Sequence, residues 1–215
     1  MTVHFIPPGS PARTALYGLM KVVVPCWCKM LYRLEVSGRN NLPAAGPAVI
    51  LPKHQYWTDI PLVGLAFSGM RLNYVAKQEL FRRPLISRFL LALGGIPLDR
   101  QAPIKTLDSF RYLDHLLKTG GWVVIFPEGT YYRGAVGRGK SRLIGMVLKF
   151  QEKDDSPAPI PFIPVGIRYG REKVRQRVKI VIGTPRYAAQ AGDAKTFTST
   201  IMEAIARLSE MDTAR

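Results

Sequence analysis

The chain has 215 residues, 47% of them hydrophobic and 21% charged, enough apolar content for one folded domain with a core. Lys and Arg number 31 against 15 Asp and Glu, a formal net charge of +16 that draws the surface to polyanions: nucleic acid, anionic lipid headgroups or phosphorylated substrates. A mean hydropathy of +0.02 excludes both a disordered chain and an integral membrane bundle.

Met1 to Pro8 has no basic region followed by an apolar stretch, so no export signal is expected there. Thr14 to Leu34 is largely apolar but holds Lys21, Lys29, Arg33 and a central Pro25. No run reaches the ~18 apolar residues of a spanning helix, so no transmembrane helix is expected. The cations, with Tyr17, Trp27 and Tyr32, suit a helix or broken helix in a membrane interface, and the same segment would also serve as a core-packing helix. Cys26 and Cys28 lack a second pair to complete a zinc site and read as free thiols.

Ser37 to Gly46 is a Gly-, Asn- and Pro-rich loop, and Pro47 to Leu51 a short buried strand ending at Pro52. Asn73 to Ala76 is a second strand, and Leu85 to Leu93 a helix started by Pro84. Ile104, Leu107, Leu113, Leu116 and Leu117 recur at helical spacing until Gly120-Gly121 stops them. Trp122 to Phe126 is a strong buried strand, and Lys140 to Phe150 has helical character. Pro161 to Ile167 and Val178 to Ile182 read as strands, and Ile201, Ile205 and Leu208 mark a last amphipathic helix. Alternating strands and helices predict an α/β fold with a central sheet flanked by helices. The division expected is an N-terminal membrane-interface segment over 1–34 and one catalytic domain over 35–215.

Of the three histidines, His4 lies in the terminus and His115 on the polar side of a predicted helix. His54 follows a buried strand, five residues before Asp59. Five residues turn a helix by roughly 500°, so a turn is needed to bring the two together. Thr58 or Asp59 can cap a helix there, with Pro61 in its first turn. His54 would then sit at a strand's carboxyl end, with the Asp59 carboxylate fixing its tautomer and leaving one ring nitrogen as a base. Three further blocks are Gly94 to Arg100, Phe126 to Thr130 after the strongest strand, and Ile163 to Ile167.

These four blocks, in order and approximate spacing, resemble those of the glycerolipid acyltransferases, the lysophosphatidic acid acyltransferases in particular. The resemblance covers roughly Leu34 to Ile182. It implies a glycerol-phosphate acyltransferase-like mixed sheet and transfer of a fatty acyl group from an acyl thioester, acyl-coenzyme A or acyl carrier protein, to a lysophospholipid hydroxyl. No cofactor or metal is implied. By likeness His54 is the general base and Asp59 orients it, Arg100 binds the acceptor's phosphate, and Glu128, Gly129 and Thr130 hold the glycerol and phosphate end. Pro164 would help shape the site. The partners implied are the two substrates, possible acyl carrier protein donors and anionic lipids at the cytoplasmic face of a membrane. No Gly-x-Ser-x-Gly elbow is present, in keeping with direct transfer.

Two positions depart from the family pattern. Tyr131 stands where a basic residue usually follows the threonine, leaving Arg133 to substitute, and Pro97 replaces an aromatic or aliphatic residue. Both fall on the acceptor's headgroup side, so another lysolipid, such as a lyso-ornithine lipid, or an inactive lipid-binding relative are the alternatives to lysophosphatidic acid.

Gly134 to Ser141 satisfies the Walker A pattern, but Pro127 to Arg133 separate it from the preceding strand, which that motif does not allow. Lys140 is better placed to meet phosphate on the acceptor or carrier. The basic stretch Arg168 to Lys179 could serve nucleic acid, yet no nucleic-acid motif accompanies it, so no nucleic-acid partner is expected.

Overall fold

In the computed structural model, which describes residues 11–99, 107–153, 159–170, 174–188 and 190–214, helix α1 (Pro11–Leu31) continues through Pro25 without a break. It leads directly into β1 (Tyr32–Ser37), followed by β2 (Ala48–Pro52), α2 (Asp59–Ala66), β3 (Leu72–Lys77), α3 (Pro84–Ala92) and β4 (Gly95–Leu98). The second half holds α4 (Leu107–Lys118), β5 (Trp122–Val124), α5 (Ser141–Lys153), β6 (Phe162–Tyr169), β7 (Gln176–Ile182) and α6 (Ala194–Ser209). Arg100, Ile104 and His4 lie outside the described residues.

The seven strands form one sheet in the order β1-β7-β6-β2-β5-β3-β4. From β6 to β4 all neighbours are parallel, whereas β7 runs antiparallel to β6 and carries β1 parallel to itself. The sheet is therefore mixed, and the carboxyl ends of β6, β2, β5, β3 and β4 share one edge. β2 is the central strand, and its side chains alternate between two cores. Val49 and Leu51 join the α4, α5 and α6 layer, while Ala48 and Ile50 join α2 and Cys28 of α1. Burial on both faces explains its uninterrupted apolar sequence.

Two strands escape the sequence pattern. β1 sits at the sheet edge with mixed exposure, and its identity depends on pairing Leu34 with Val178 and Val36 with Ile180. The division drawn after Leu34 falls inside this strand. β4 is four residues long and contains Pro97, opposite Ala76. Proline has no N–H for a ladder and is tolerated because β4 is the other edge strand.

α1 is not a core-packing helix over most of its length: Leu19, Val22, Val23, Met30 and Leu31 are exposed, while Cys28 is buried and Trp27 half-buried. Contrary to the sequence expectation, it is long and apolar enough, by length and composition, to cross a membrane over Thr14–Leu31. Lys21 and Lys29 fall within these eighteen residues, whose mean hydropathy is 1.2.

Two of the Walker-like glycines, Gly137 and Gly139, serve packing. A Cβ on Gly137 would lie 2.4 Å from the Tyr132 ring, and one on Gly139 would lie 2.6 Å from Met202 and Thr198 of α6. The Gly137 N–H is donated to Glu128 and the Lys140 N–H to the Pro127 carbonyl, so the loop's amides are turned inward. In the basic stretch, Arg168 and Lys179 share Glu210, and Arg177 meets Glu35.

Candidate active site

Two loops at the common carboxyl edge build the site. The first leaves β2 at Pro52 and enters α2 at Asp59, and the second leaves β5 and carries Phe126 to Arg133. The turn required by the five-residue spacing is present. The Asp59 Oδ2 accepts from the Gln55 N–H at 2.5 Å, the Tyr56 N–H at 2.8 Å and the His54 Nδ1 at 3.0 Å. Asp59 thus folds the loop around its own carboxylate. Gln55 Nε2 ties the loop to β6 through the Ile167 carbonyl at 2.9 Å, and Lys53 N does so through Val165.

An ionised carboxylate only accepts, so the proton on Nδ1 belongs to the bond with Asp59 and Nε2 is left with a lone pair. The His54 side chain is 11% exposed. The Phe126 ring stacks on it at 3.8 Å and 26°, and Tyr131 lies across it at 4.4 Å. Two aromatic walls restrict rotation of the ring.

Lys53, read in the sequence only as the residue before the histidine, is completely buried. Its ammonium reaches Glu128 Oε1 at 2.8 Å and Oε2 at 3.0 Å, the Tyr132 carbonyl at 2.7 Å and the His54 carbonyl at 3.1 Å. Burial pulls its pKa below the usual lysine range, against the opposing pull of Glu128. Glu128, 1% exposed, also accepts from the His54 N–H at 2.7 Å and the Gly137 N–H at 2.7 Å. Both carboxylate oxygens are therefore occupied by protein donors. Glu128 faces the back of the His54 loop, where a substrate contact was expected. The Tyr132 N–H donates to the His54 carbonyl at 2.9 Å and completes the clasp between the loops.

Beyond Phe126 opens a cavity of ≈ 590 Å³. Lys77, Lys140 and Arg142 supply cations and Glu79 and Asp99 acids, while Leu98, Phe110, Ile125, Leu143 and Met146 form an apolar wall. Gly129 and Thr130 also line it. Arg133 does not: its guanidinium lies 4.8 Å over the Tyr56 ring, on the Asp59 side. Pro164 sits inside the sheet opposite Leu51, shaping β6 and not the cavity. His115 is exposed on α4. Among the described residues no cluster of His, Cys, Asp and Glu could hold a metal ion.

Sequence reasoning missed Lys77 and Glu79, although they stand directly at the carboxyl end of β3, where α/β sheets bind ligands. Lys53 and Tyr169, described below, carried no local signal. Their partners are 75 and 110 positions away.

The 1-acyl-sn-glycerophosphate (LPA) acyltransferase PlsC from Thermotoga maritima superposes with a TM-score of 0.69 at 22% identity, covering 93% of this chain and 80% of that one. The Acyltransferase family pattern matches residues 33–168, and the chain belongs to this family and is an acyltransferase. Over 160 residues it is 31% identical to the 1-acyl-sn-glycerol-3-phosphate acyltransferase of Bacillus subtilis, spanning 73% of this chain and 75% of the relative. The enzyme of the same description from Pseudomonas aeruginosa is 34% identical over 207 residues, 87% and 74% of the two chains.

Proposed function

We propose that this acyltransferase moves a fatty acyl group from an acyl thioester to the free hydroxyl of lysophosphatidic acid, giving phosphatidic acid at a membrane surface. The observation that carries the reaction is the His54 Nδ1–Asp59 contact of 3.0 Å, which leaves Nε2 available as a base. Nε2 takes the acceptor's hydroxyl proton as its oxygen attacks the thioester carbonyl. The C–O bond forms, the C–S bond breaks, and the imidazolium returns the proton to the departing thiolate. Asp59 stabilises the transient positive charge. Lys53 and Glu128 hold the two loops in register, so Glu128 acts by positioning His54.

The cavity supports an amphiphilic, anionic acceptor. Lys77, Lys140 and Arg142 offer a phosphate its counter-charges, and the apolar wall offers a surface for a chain. The resemblance of the second block adds Arg100, outside the described residues, as a further ligand of the acceptor's phosphate. Arg100→Ala should raise KM for a phosphate acceptor about tenfold or more with a smaller effect on kcat, read from initial rates. Relatives named as 1-acyl-sn-glycerol-3-phosphate acyltransferases favour the same acceptor.

Membrane docking is supported by two neighbouring helices. The exposed apolar residues of α1 are joined on α3 by Leu85, Ile86 and Phe89, with Arg82, Arg83 and Arg88 exposed beside them. This combination suits an interface with anionic lipids. Leu85→Glu with Phe89→Glu should cut cosedimentation with anionic vesicles several-fold while leaving the fold intact by circular dichroism.

The direct test is thiol release from acyl-coenzyme A, then from acyl carrier protein, across a panel of lysolipids. Release that depends on lysophosphatidic acid supports the reading. Preference for a lysolipid without a simple phosphate would instead tie the acceptor to Tyr131, and silence with both donors would overturn turnover altogether.

A further inference from the structure

The Asp59 carboxylate has a donor that belongs to none of the four sequence blocks. Tyr169, at the carboxyl end of β6, places its hydroxyl 2.5 Å from Oδ1, while Oδ2 faces His54. Thr58 Oγ1 lies 3.1 Å from the same phenol oxygen. Because an ionised carboxylate cannot donate, the phenol proton points at Asp59 and the Thr58 hydroxyl donates to the phenol oxygen. The chain of bonds runs from Thr58 through Tyr169 to Asp59 and meets the imidazole on the other carboxylate oxygen.

The ring that carries this hydroxyl is clamped. Tyr56 meets it edge-on at 4.9 Å and Tyr32 of β1 at 6.4 Å, and Trp27 of α1 backs Tyr32 at 6.3 Å. Burial, then the Asp59 charge, push the phenol pKa far up, so it remains a donor at any working pH.

We propose that Tyr169 is a positioning residue for His54, acting through Asp59: its hydroxyl pins Oδ1 so that Oδ2 faces Nδ1, and it draws carboxylate charge away from the imidazole. A carboxylate shared with a phenol holds a neighbouring imidazolium less tightly than one free of that donor. This rests on the reading of His54 as the base. The other charged or titratable groups around the pair are the mutually paired Lys53 and Glu128, the phenols Tyr131, Tyr56 and Tyr32, and Arg133 over Tyr56. Removing one hydroxyl from Tyr169 leaves all of them in place.

Tyr169→Phe keeps the ring and deletes only the donor. The chain has 3 histidines, so ring resonances can be followed through a pH titration and His54 assigned by its loss in His54→Ala. The midpoint of the His54 titration should move to higher pH in Tyr169→Phe, by about half a unit or more. In the same variant kcat near neutrality should fall roughly tenfold, with KM for both substrates within about twofold and the acid limb of the pH profile displaced upward. Thr58→Val should move the midpoint the same way by less, since it only weakens the phenol's donation. An unchanged midpoint overturns the proposal, including the case where kcat falls equally at every pH, the signature of packing alone. The midpoint is read without turnover. If His54→Ala remained active while Tyr169→Phe still shifted the midpoint, the base assignment would fail and the coupling would stand.

Discussion

Turnover is expected to fall by about 10³- to 10⁴-fold in His54→Ala, with vesicle binding and thermal stability close to those of the parent. The side chain is on a loop, and its loss leaves the Asp59 carboxylate with the Gln55 and Tyr56 amides and the Tyr169 hydroxyl, so no buried charge is orphaned. The chemistry has no substitute: among the described residues His115, the other histidine, is on the far side of the sheet's helical layer and exposed. Asp59→Asn should lower kcat by about 10²- to 10⁴-fold, because a neutral amide no longer compensates the imidazolium or selects the Nδ1–H tautomer. Single-turnover rates with acyl-coenzyme A and lysophosphatidic acid measure both. Retention of more than about a tenth of the activity by His54→Ala would falsify the general-base assignment.

The second large effect concerns stability. Lys53→Met should destabilise the protein by about 3–5 kcal/mol, since it strips a fully buried carboxylate of its counter-charge. For a chain of this size that corresponds to a fall in Tm of about 10 °C. Glu128→Gln should be comparably severe for a different reason. Its two oxygens accept from Lys53, the His54 N–H and the Gly137 N–H, and an amide would turn an NH₂ toward one of those donors. Replacing both residues with apolar ones, often neutral for a buried pair, should not restore stability here, because the two amides and the Tyr132 carbonyl would still lack partners. Thermal unfolding monitored by tryptophan fluorescence resolves the three variants. Shifts of under about 2 °C in the single variants would show that water reaches the pair and that it does not hold the loops.

Much of the architecture was legible because it is written in local patterns. The all-apolar run before Pro52, the Gly120-Gly121 stop and the apolar spacing of the last helix each specify an element through burial or backbone freedom within a few residues. β1 and β4 were not legible. Their short, mixed sequences become strands only when β7 and β3 supply hydrogen-bond partners from elsewhere in the chain. α1 was half legible: its composition pointed to an interface, but only its exposed side chains in the folded chain separate that reading from a core helix.

The site divides in the same way. By itself, the sequence determined that His54 and Asp59 stand at the spacing a turn can close, after a strand, with a second strand-end loop downstream. Both partners lie on one short segment, so the local chain carries their chemistry. Tertiary structure alone decided that Glu128 faces Lys53 and backbone amides, that Arg133 stacks on Tyr56, and that Tyr169 reaches Asp59. Those contacts join segments brought side by side by the parallel pairing of β2 with β5 and β6. A carboxylate at a strand end can face ligand or protein, and which one depends on the burial that the neighbouring strands impose.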